Sequence, residues 1–332
     1  MSRRFLSTPT LVSFILGLAI IYFLLSRFSI DLEATQEIIK RSNPSLYVLA
    51  IFVHYTTFLF RGQRWRLLLR NAGVARSKEI YLPSVVASGR LILIGWFASS
   101  VTWFRIGDAY RAYAYTKESG ASFARSGGTV VAERLMDILL VFGLLLIGFL
   151  SMLIDSDSRP PRFLLLAGLG LASLSLLALL GAHLFWKRVA IFLPRKLFRT
   201  YVGFRQGVMR SFRLLPQVGI YGLLGWLAEV GRLYLVIKAT GLDVGVDLVL
   251  FVAIAAALLS ATPITPGGLG VVETGIAGIL ALTLSEGAAV SIALLDRSIS
   301  YLSVVIIGPI ALAYHQHIVI KKARMQSRSP SS

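Results

Sequence analysis

The chain has 332 residues, of which 56% are hydrophobic and 15% are charged, whereas a soluble domain carries about 25% charged residues. Long apolar runs recur from end to end and approach or reach the roughly 20 residues that cross a bilayer core. The composition therefore excludes an ordinary soluble domain and predicts an all-α polytopic membrane protein. The sequence contains no cysteine, which excludes disulfides, thiolate nucleophiles and cysteine-ligated metals.

The formal net charge of +18 would suit nucleic acid, but its distribution indicates a membrane topology instead. Basic residues cluster in short connections between apolar runs, as the positive-inside rule predicts. We therefore expect no nucleic-acid partner. The expected partners are membrane lipids, in particular anionic or phosphate-bearing ones, and the expected location is the inner (plasma) membrane.

The first half of the chain predicts three spans and one hairpin. Spans are predicted over about 10–26, 44–60 and 130–154. The segment 27–43 has balanced charge and is expected to be an outside loop. The basic segment 61–78 contains no acid and is expected to be a cytoplasmic loop. Because basic segments also flank the apolar run inside 80–118, a single crossing would put one of them outside. We interpret 80–118 as a re-entrant hairpin that enters and leaves on the cytoplasmic side.

The second half repeats this order. Spans are predicted over about 162–186, 216–238 and 288–313. The connection 187–213 carries eight basic residues and no acid, so it is expected inside. The acidic connection 241–247 is expected outside, and a broken apolar segment over 248–284 is interpreted as a second hairpin. The sequence thus predicts about six full spans plus two re-entrant broken-helix hairpins, with both termini in the cytoplasm.

Charged residues at corresponding places suggest that the two halves are repeats. Asp108 and Glu273 follow the hairpin breaks, and Arg134 and Arg297 open the spans after them. An odd number of crossings in each half requires the second copy to be inverted, which is typical of transporters. We expect one membrane domain over 1–332, with halves at about 10–155 and 162–315 and a basic cytoplasmic tail over 316–332.

Seven charged residues lie in or at the ends of predicted spans: Glu133, Arg134, Asp137, Glu229, Arg232, Asp296 and Arg297. A charge at the centre of a span costs about 2.5–3.5 kcal/mol on insertion scales, so these residues must pair, face water or lie near the interface. Two interpretations follow. The charges form structural ion pairs and interfacial anchors, or they line a polar cavity that accepts a charged headgroup.

The second hairpin breaks at TPITPGGLGVVE, residues 262–273. Two prolines end the incoming helix, and three glycines are expected to leave backbone amides open before a new helix starts near Leu269. A helix N-terminus with exposed N–H groups favours anions, so the motif predicts a phosphate site at a half-helix tip. The residues of this predicted site are Pro263, Pro266, Gly267, Gly268, Gly270 and Glu273.

Other sequence patterns are weaker evidence for a functional site. The glycine motif resembles GxGxxG, but Glu273 replaces its last glycine and no βαβ unit surrounds it. His315 and His317 are expected to be interfacial rather than metal ligands, since no third ligand is evident. Trp65, Trp96, Trp103 and Trp186 lie near span ends, which fits aromatic belts. We expect no cofactor and no metal.

Several motifs together resemble a known family. They are R-x-x-R-W-R-x-L-L with a following glycine (Arg61–Gly73), G-D-x-x-R (Gly107, Asp108, Arg111), E-R-L-x-D (Glu133–Asp137), P-x-x-P-G-G-L-G-V-x-E (Pro263–Glu273) and D-R (Asp296, Arg297). Over about residues 10–315 the chain resembles the flippase-like family, also called the lysylphosphatidylglycerol synthase transmembrane region. Larger members carry a soluble aminoacyl-transferase domain after this region. The resemblance implies lipid translocation rather than lipid aminoacylation.

We therefore expect a translocase-like protein that moves a charged or glycosylated lipid headgroup, and not an enzyme. The expected headgroup contacts are Arg64, Arg111, Arg134, Arg232 and Arg297. The acids expected to balance them or to bind an amine are Asp108, Glu133, Asp137, Glu229, Glu273 and Asp296. Two alternatives stay open: a membrane-embedded transferase acting on a polyprenyl or phospholipid substrate, with Asp108 or Glu133 as base, and a scaffold for envelope assembly.

Overall fold

The computed structural model describes residues 32–75, 80–102, 106–155, 194–261 and 265–328, together with isolated positions between 166 and 184. Within these ranges the chain is helical apart from short connections. The predicted span at 10–26, most of the span at 162–186, and Pro263 lie outside the described residues.

The helices, numbered in chain order, are α1 (Leu32–Arg41), α2 (Pro44–Asn71), α3 (Val85–Val101), α4 (Gly107–Ser119), α5 (Phe123–Asp155), α6 (Arg195–Ser211), α7 (Leu215–Ala239), α8 (Val246–Ala261), α9 (Val271–Leu280), α10 (Glu286–Arg297) and α11 (Ser303–Arg328). A 3₁₀ turn (Pro266–Gly268) precedes α9, and a π-helical turn (Ser298–Leu302) joins α10 to α11.

Local sequence signals explain several helix ends. The Asn43 side chain accepts hydrogen bonds from the amides of Ser45 and Leu46 at the start of α2, and Pro44 occupies the first turn, where its missing N–H is not needed. The Ser84 hydroxyl caps α3 by accepting from the amide of Ala87. At the other end of the first hairpin, α4 stops at Gly120, whose φ of 72° is the left-handed C-cap conformation that glycine favours.

Three stretches of the described chain are long and apolar enough to cross a membrane: Pro44–Asn71, Leu215–Ala239 and Glu286–Ile320. Each contains one of the predicted spans. The predicted span at 130–154 lies within α5. The total number of spans and the inversion of the second half stay predictions.

Each predicted hairpin consists of two helices that pack against each other and are joined by a short break in the helix. Helix α3 packs against α4, and α8 packs against α9. The second break contains the proline-glycine motif, as the sequence predicts, and α9 begins at Val271, two residues after the expected start. Whether these pairs re-enter the membrane on one side stays a prediction.

Three segments expected to be connections contain helices. The segment 27–43 includes α1, and the segment 187–213 includes α6. The basic segment 61–78 was expected to be a loop, but α2 continues through it to Asn71, and Arg61 and Arg64 are buried there. The prediction of a loop was wrong because the charge count along the chain does not reveal acidic partners on other helices.

The core consists of two apolar clusters with charged residues at their boundary. On α5, Met136 belongs to the cluster built mainly from the first half and Val141 to the cluster built mainly from the second half. Asp137 therefore lies on α5 at the boundary between the two apolar clusters. On α7, Val218 and Val230 belong to different clusters in the same way. This arrangement positions a polar layer within an otherwise apolar helical bundle.

Candidate functional site: a charged cavity between the two halves

The first group of charges is built around Arg64, in the C-terminal half of α2. Its Nη1 donates to Asp137 Oδ1 over 2.7 Å, and its Nη2 donates to Glu133 Oε1 over 2.8 Å. The other oxygen of Glu133 accepts from Arg111 Nη2 over 2.8 Å. Because Arg64 is fully buried and Glu133 is 2% exposed, these groups are held by one another instead of by water.

Arg134 extends this group towards a more open region. Its Nε and Nη2 donate two parallel hydrogen bonds to the carboxylate of Asp108, over 2.7 and 2.8 Å. Its Nη1 lies 3.5 Å from Asp137 Oδ2, and its side chain is 35% exposed. Together with Arg61 the residues form what we call the first charge cluster: Arg61, Arg64, Arg111, Arg134, Asp108, Glu133 and Asp137.

A second group of charges surrounds Arg232 on α7. Its Nε and Nη2 donate to the two oxygens of Asp296 on α10, over 2.8 and 3.2 Å. Its Nη1 also contacts Glu229 on the same helix and lies 3.2 Å from His54 Nδ1 on α2. Arg232 thus links three helices through one guanidinium group.

Arg297 ties the second hairpin break to α10. Its Nε donates to Glu273 Oε1 over 2.7 Å, and its Nη2 donates to the carbonyl oxygen of Gly267 over 2.8 Å. With Arg232 and its partners these residues form the second charge cluster: Arg232, Arg297, Glu229, Glu273 and Asp296. The break is therefore fixed by an arginine that binds both its backbone and the first turn of α9.

Backbone geometry explains the glycines of the break. Gly267, Gly268 and Gly270 have φ values of 61°, 72° and 81°, a region that side chains with a Cβ disfavour. The amide of Gly268 donates to Thr265 O over 3.1 Å, and that of Leu269 donates to Pro266 O over 3.3 Å. The expectation of an open amide was wrong at Gly268, because that amide donates a hydrogen bond within the tight turn.

The two clusters repeat one arrangement. An arginine on a long helix binds a carboxylate that is followed in sequence by a second arginine, which binds a carboxylate in the first turn of the helix after a break. In this order the residues are Arg64, Glu133, Arg134 and Asp108 in the first cluster, and Arg232, Asp296, Arg297 and Glu273 in the second. The residues that suggested a repeat in the sequence thus make equivalent pairs in the structure.

Both clusters face a cavity of about 410 Å³. Residues predicted for the site that line it are Asp108, Arg134, Asp137, Glu229, Arg232, Gly267, Asp296 and Arg297. The predicted residues Arg64, Arg111, Glu133, Pro266, Gly268, Gly270 and Glu273 are not among the lining residues and stand behind its wall. Arg64 and Glu273 hold lining residues in place, since Arg64 donates to Asp137 and Glu273 accepts from Arg297.

Arg61 also lines this cavity, although it is not among the site residues predicted from the sequence. Its guanidinium carbon lies 4.7 Å from the centre of the Trp226 ring and 5.3 Å from that of the Trp96 ring, so it is held between two aromatic faces. Its Nη1 lies 3.7 Å from Asp137 Oδ2, which is longer than the Arg64 and Arg134 pairs. Arg61, Trp96 and Trp226 all line the cavity.

Two tryptophans assigned to interfacial belts have other roles. Trp65 is fully buried, and its indole N–H donates to Thr129 Oγ1 over 3.1 Å. Trp96 faces the cavity. The prediction for these two was wrong because α2 and α3 contact other helices along the surfaces that carry them. Arg61 is the first arginine of the motif R-x-x-R-W-R and lies about one helical turn before Arg64 on the same face of α2. This spacing could have indicated from the sequence that Arg61 belongs to the site.

The halves also contact each other directly around the cavity. The indole N–H of Trp226 on α7 donates to Asp137 Oδ1 on α5 over 3.1 Å. Tyr301, in the π-helical turn, donates to the carbonyl oxygen of Ser100 on α3 over 3.3 Å, and its ring lies 4.9 Å from the guanidinium carbon of Arg297. π-Helical turns inside α-helices are frequent at functional sites, and this one contributes to the cavity wall.

Comparisons with known proteins find membrane proteins among the relatives of this chain. The chain is 28% identical over 233 residues to a UPF0104 membrane protein of Methanocaldococcus jannaschii. The aligned region covers 69% of this chain and 98% of the relative. It is 22% identical to a UPF0104 membrane protein of Pyrococcus horikoshii, over 93% of this chain and 98% of the relative. It is also 23% identical to a protein of Haloferax volcanii named glycosyltransferase AglD, over 90% of this chain but 53% of that protein.

The family model described as the lysylphosphatidylglycerol synthase transmembrane region matches residues 11–308. This match includes every residue that lines the cavity, both hairpin breaks and both charge clusters. The chain is therefore a membrane protein that belongs to the lysylphosphatidylglycerol synthase transmembrane region family.

Proposed function

We propose that this protein moves the polar headgroup of a membrane lipid across the bilayer through the cavity between its halves, while the lipid tails stay in the membrane. The observation that carries the proposal is the cavity itself. Four arginines and four carboxylates line it, contributed by both halves of a chain whose longest helices are apolar enough to cross a membrane. A headgroup leaving water loses its hydration, and these fixed charges replace part of it.

Two physical features support transport over a purely structural role. A structural ion-pair network is most stable when it is packed without empty space, since voids forfeit contacts. Here Arg61 and Arg134 instead face a space of about 410 Å³. Broken helices at membrane depth are tolerated where they line a cavity or are buried in protein, and Gly267 of the second break is part of the cavity wall.

A transferase is the second candidate, because one relative is named a glycosyltransferase. The match covers about half of that relative, so its name describes a longer protein than the matched region. The candidate bases in this chain are Asp108 and Glu133. Asp108 is bound by Arg134, and Glu133 by Arg64 and Arg111, so either acid would have to leave an arginine before taking a proton from a substrate.

Reconstitution of the purified protein into lipid vesicles separates the two functions. Tail-labelled phospholipids are placed in both leaflets, and an impermeant reductant then bleaches the outer one. Translocation predicts that protected lipid becomes bleached at a rate that rises with protein content, with no new lipid species in the extract. A new lipid product without movement between leaflets would favour the transferase and contradict the proposal.

A further inference from the structure

The two charge clusters carry opposite net charges that face the same cavity. Counting each carboxylate and guanidinium as ionised and His54 as neutral, the first cluster contains four arginines and three carboxylates, and the second contains two arginines and three carboxylates. The first cluster therefore has a surplus of one positive charge and the second a surplus of one negative charge. Among the described residues that form these clusters, the sum is zero.

The surplus positive charge is located at Arg61. The other three arginines of the first cluster each have a carboxylate oxygen within 2.8 Å, whereas the carboxylate oxygen closest to Arg61 among the described residues is 3.7 Å away. Arg61 is 95% buried at its side chain and packed between Trp96 and Trp226. A buried guanidinium with a distant counter-charge is a strong binding site for an anion, because its N–H groups can donate to the oxygens of a phosphate.

The surplus negative charge is located at Glu229. Its Oε2 contacts Arg232, but its Oε1 is buried and has no hydrogen-bond partner within the described structure. Asp137 Oδ2 is likewise buried without a hydrogen bond, although arginines lie 3.5 and 3.7 Å away. Both carboxylates line the cavity. Buried acceptors of this kind call for a donor, and a primary ammonium supplies three N–H donors together with a positive charge.

We propose that the cavity selects a zwitterionic lipid headgroup that carries one phosphate and one primary ammonium, with the phosphate at Arg61 and the ammonium at Glu229. This inference rests on the proposed function, since it names the lipid class that the same cavity would carry. A headgroup with a phosphate alone would leave an uncompensated negative charge among already balanced ions. A quaternary ammonium would bring the charge but no N–H donor for Glu229 Oε1.

The size of the space fits this class. Small-molecule sites occupy about 300–1,000 Å³, and the cavity of about 410 Å³ is at the lower end of that range. Trp226, one of the two rings that stack on Arg61, and Glu229 are three residues apart on α7 and so lie on one helix face. Phosphate and ammonium sites would thus be neighbours, as in a compact headgroup.

Binding to the detergent-purified protein tests the inference without requiring transport. The probes are short-chain phospholipids with ethanolamine, glycerol or choline headgroups, and the readout is the rise in melting temperature as each lipid is titrated. We expect the ethanolamine lipid to reach half-effect at a roughly tenfold lower concentration than the other two, since a buried group left unpaired weakens binding by that order. Equal half-effects for the ethanolamine and glycerol lipids would overturn the inference.

Two variants sharpen the test. Glu229→Gln removes the negative surplus and should abolish the preference for ethanolamine over choline. Arg61→Gln should weaken binding of all three lipids. Arg199→Gln is the matched control, because it removes one positive charge from an exposed position on α6 and should keep the preference. An unchanged preference in Glu229→Gln overturns the inference, and if that variant does not fold, the ranking of the three lipids by the parent protein decides.

The two proposals fail separately. Selective binding of the ethanolamine lipid by a protein that moves no lipid in vesicles would support the inference about the headgroup and contradict translocation. Movement of labelled lipids with all three headgroups at equal rates, together with equal binding, would support translocation and overturn the selection of a zwitterion.

Discussion

Arg64 on α2 and Asp137 on α5 are joined by a hydrogen bond of 2.7 Å where their side chains are 0% and 6% exposed. Removing one partner of a buried ion pair costs about 3–5 kcal/mol, because the other charge stays buried without compensation. Arg64→Met keeps most of the side-chain length and strands both Asp137 and Glu133. We expect it to lower the unfolding free energy by about that amount.

The measurement is the melting temperature of the detergent-purified variant, compared with Arg199→Met. Arg199 is exposed on α6, so its replacement should change stability by less than about 0.5 kcal/mol. Equal and small effects of the two substitutions would contradict a buried network around Arg64.

Helix α7 approaches α2 closely at Gly222, which gives a second prediction. A Cβ at this position would lie 2.7 Å from Arg64 Nη1 and 2.7 Å from Leu140 Cδ1. Arg64 has little freedom to move because Glu133 and Asp137 hold it. We expect Gly222→Ala to destabilise the protein by about 1–3 kcal/mol, as overpacking does in other cores.

Gly219, one turn earlier on the same helix, provides the control for this substitution. A Cβ there meets no atom within 4 Å, and alanine is favoured over glycine in a helix by about 1 kcal/mol. Gly219→Ala should therefore leave the melting temperature unchanged or raise it. A Gly222→Ala variant as stable as Gly219→Ala would show that α2 and α7 do not approach as described.

The hairpin break depends on Arg297, which leads to a prediction about local dynamics. Its guanidinium bonds Glu273 and the carbonyl of Gly267, and hydrogen bonds to charged groups contribute about 1.5–3 kcal/mol each. In Arg297→Gln the turn should open more often. Hydrogen exchange of the peptide covering 265–270 should accelerate by roughly tenfold or more, while the same peptide in Arg199→Gln should exchange as in the parent.

The predicted topology can be tested directly, because the chain contains no cysteine. Single cysteines at Arg199 and Asp243 report on the two sides of the membrane. The excess of basic residues in 187–213 predicts that the cysteine at 199 reacts with an impermeant maleimide only after the cells are opened. The cysteine at 243, in the connection expected outside, should react in intact cells. The reverse pattern would invalidate the assigned orientation.

The sequence was sufficient for the membrane class, the family resemblance and most of the charged residues around the cavity. Charges inside apolar runs are detectable without a structure, since each must be compensated, and Arg134, Arg232 and Asp296 were identified in this way. The proline-glycine motif likewise predicted the break before α9, because prolines and glycines end helices in any context.

The missed features depend on contacts between distant parts of the chain. Arg61 looked like one more basic residue of a cytoplasmic loop, and its burial follows only from Trp226 on α7 and Trp96 on α3. In the same way, the amide of Gly268 looked available until the turn showed its bond to Thr265. Hydrophobicity and charge counts describe a segment alone, whereas these outcomes depend on which helix packs beside it.

The most direct test of the account is to fill the cavity and measure lipid movement in reconstituted vesicles. Ala257 on α8 lines the cavity, and Ala257→Trp would occupy much of its space. Leu227→Trp is the control, since Leu227 is 47% exposed on α7 and is not among the lining residues. We expect Ala257→Trp to remain folded by size exclusion and to move labelled phospholipid at least about tenfold more slowly than Leu227→Trp, which corresponds to a barrier higher by roughly 1.4 kcal/mol. Equal rates for the two folded variants would contradict transport through this cavity.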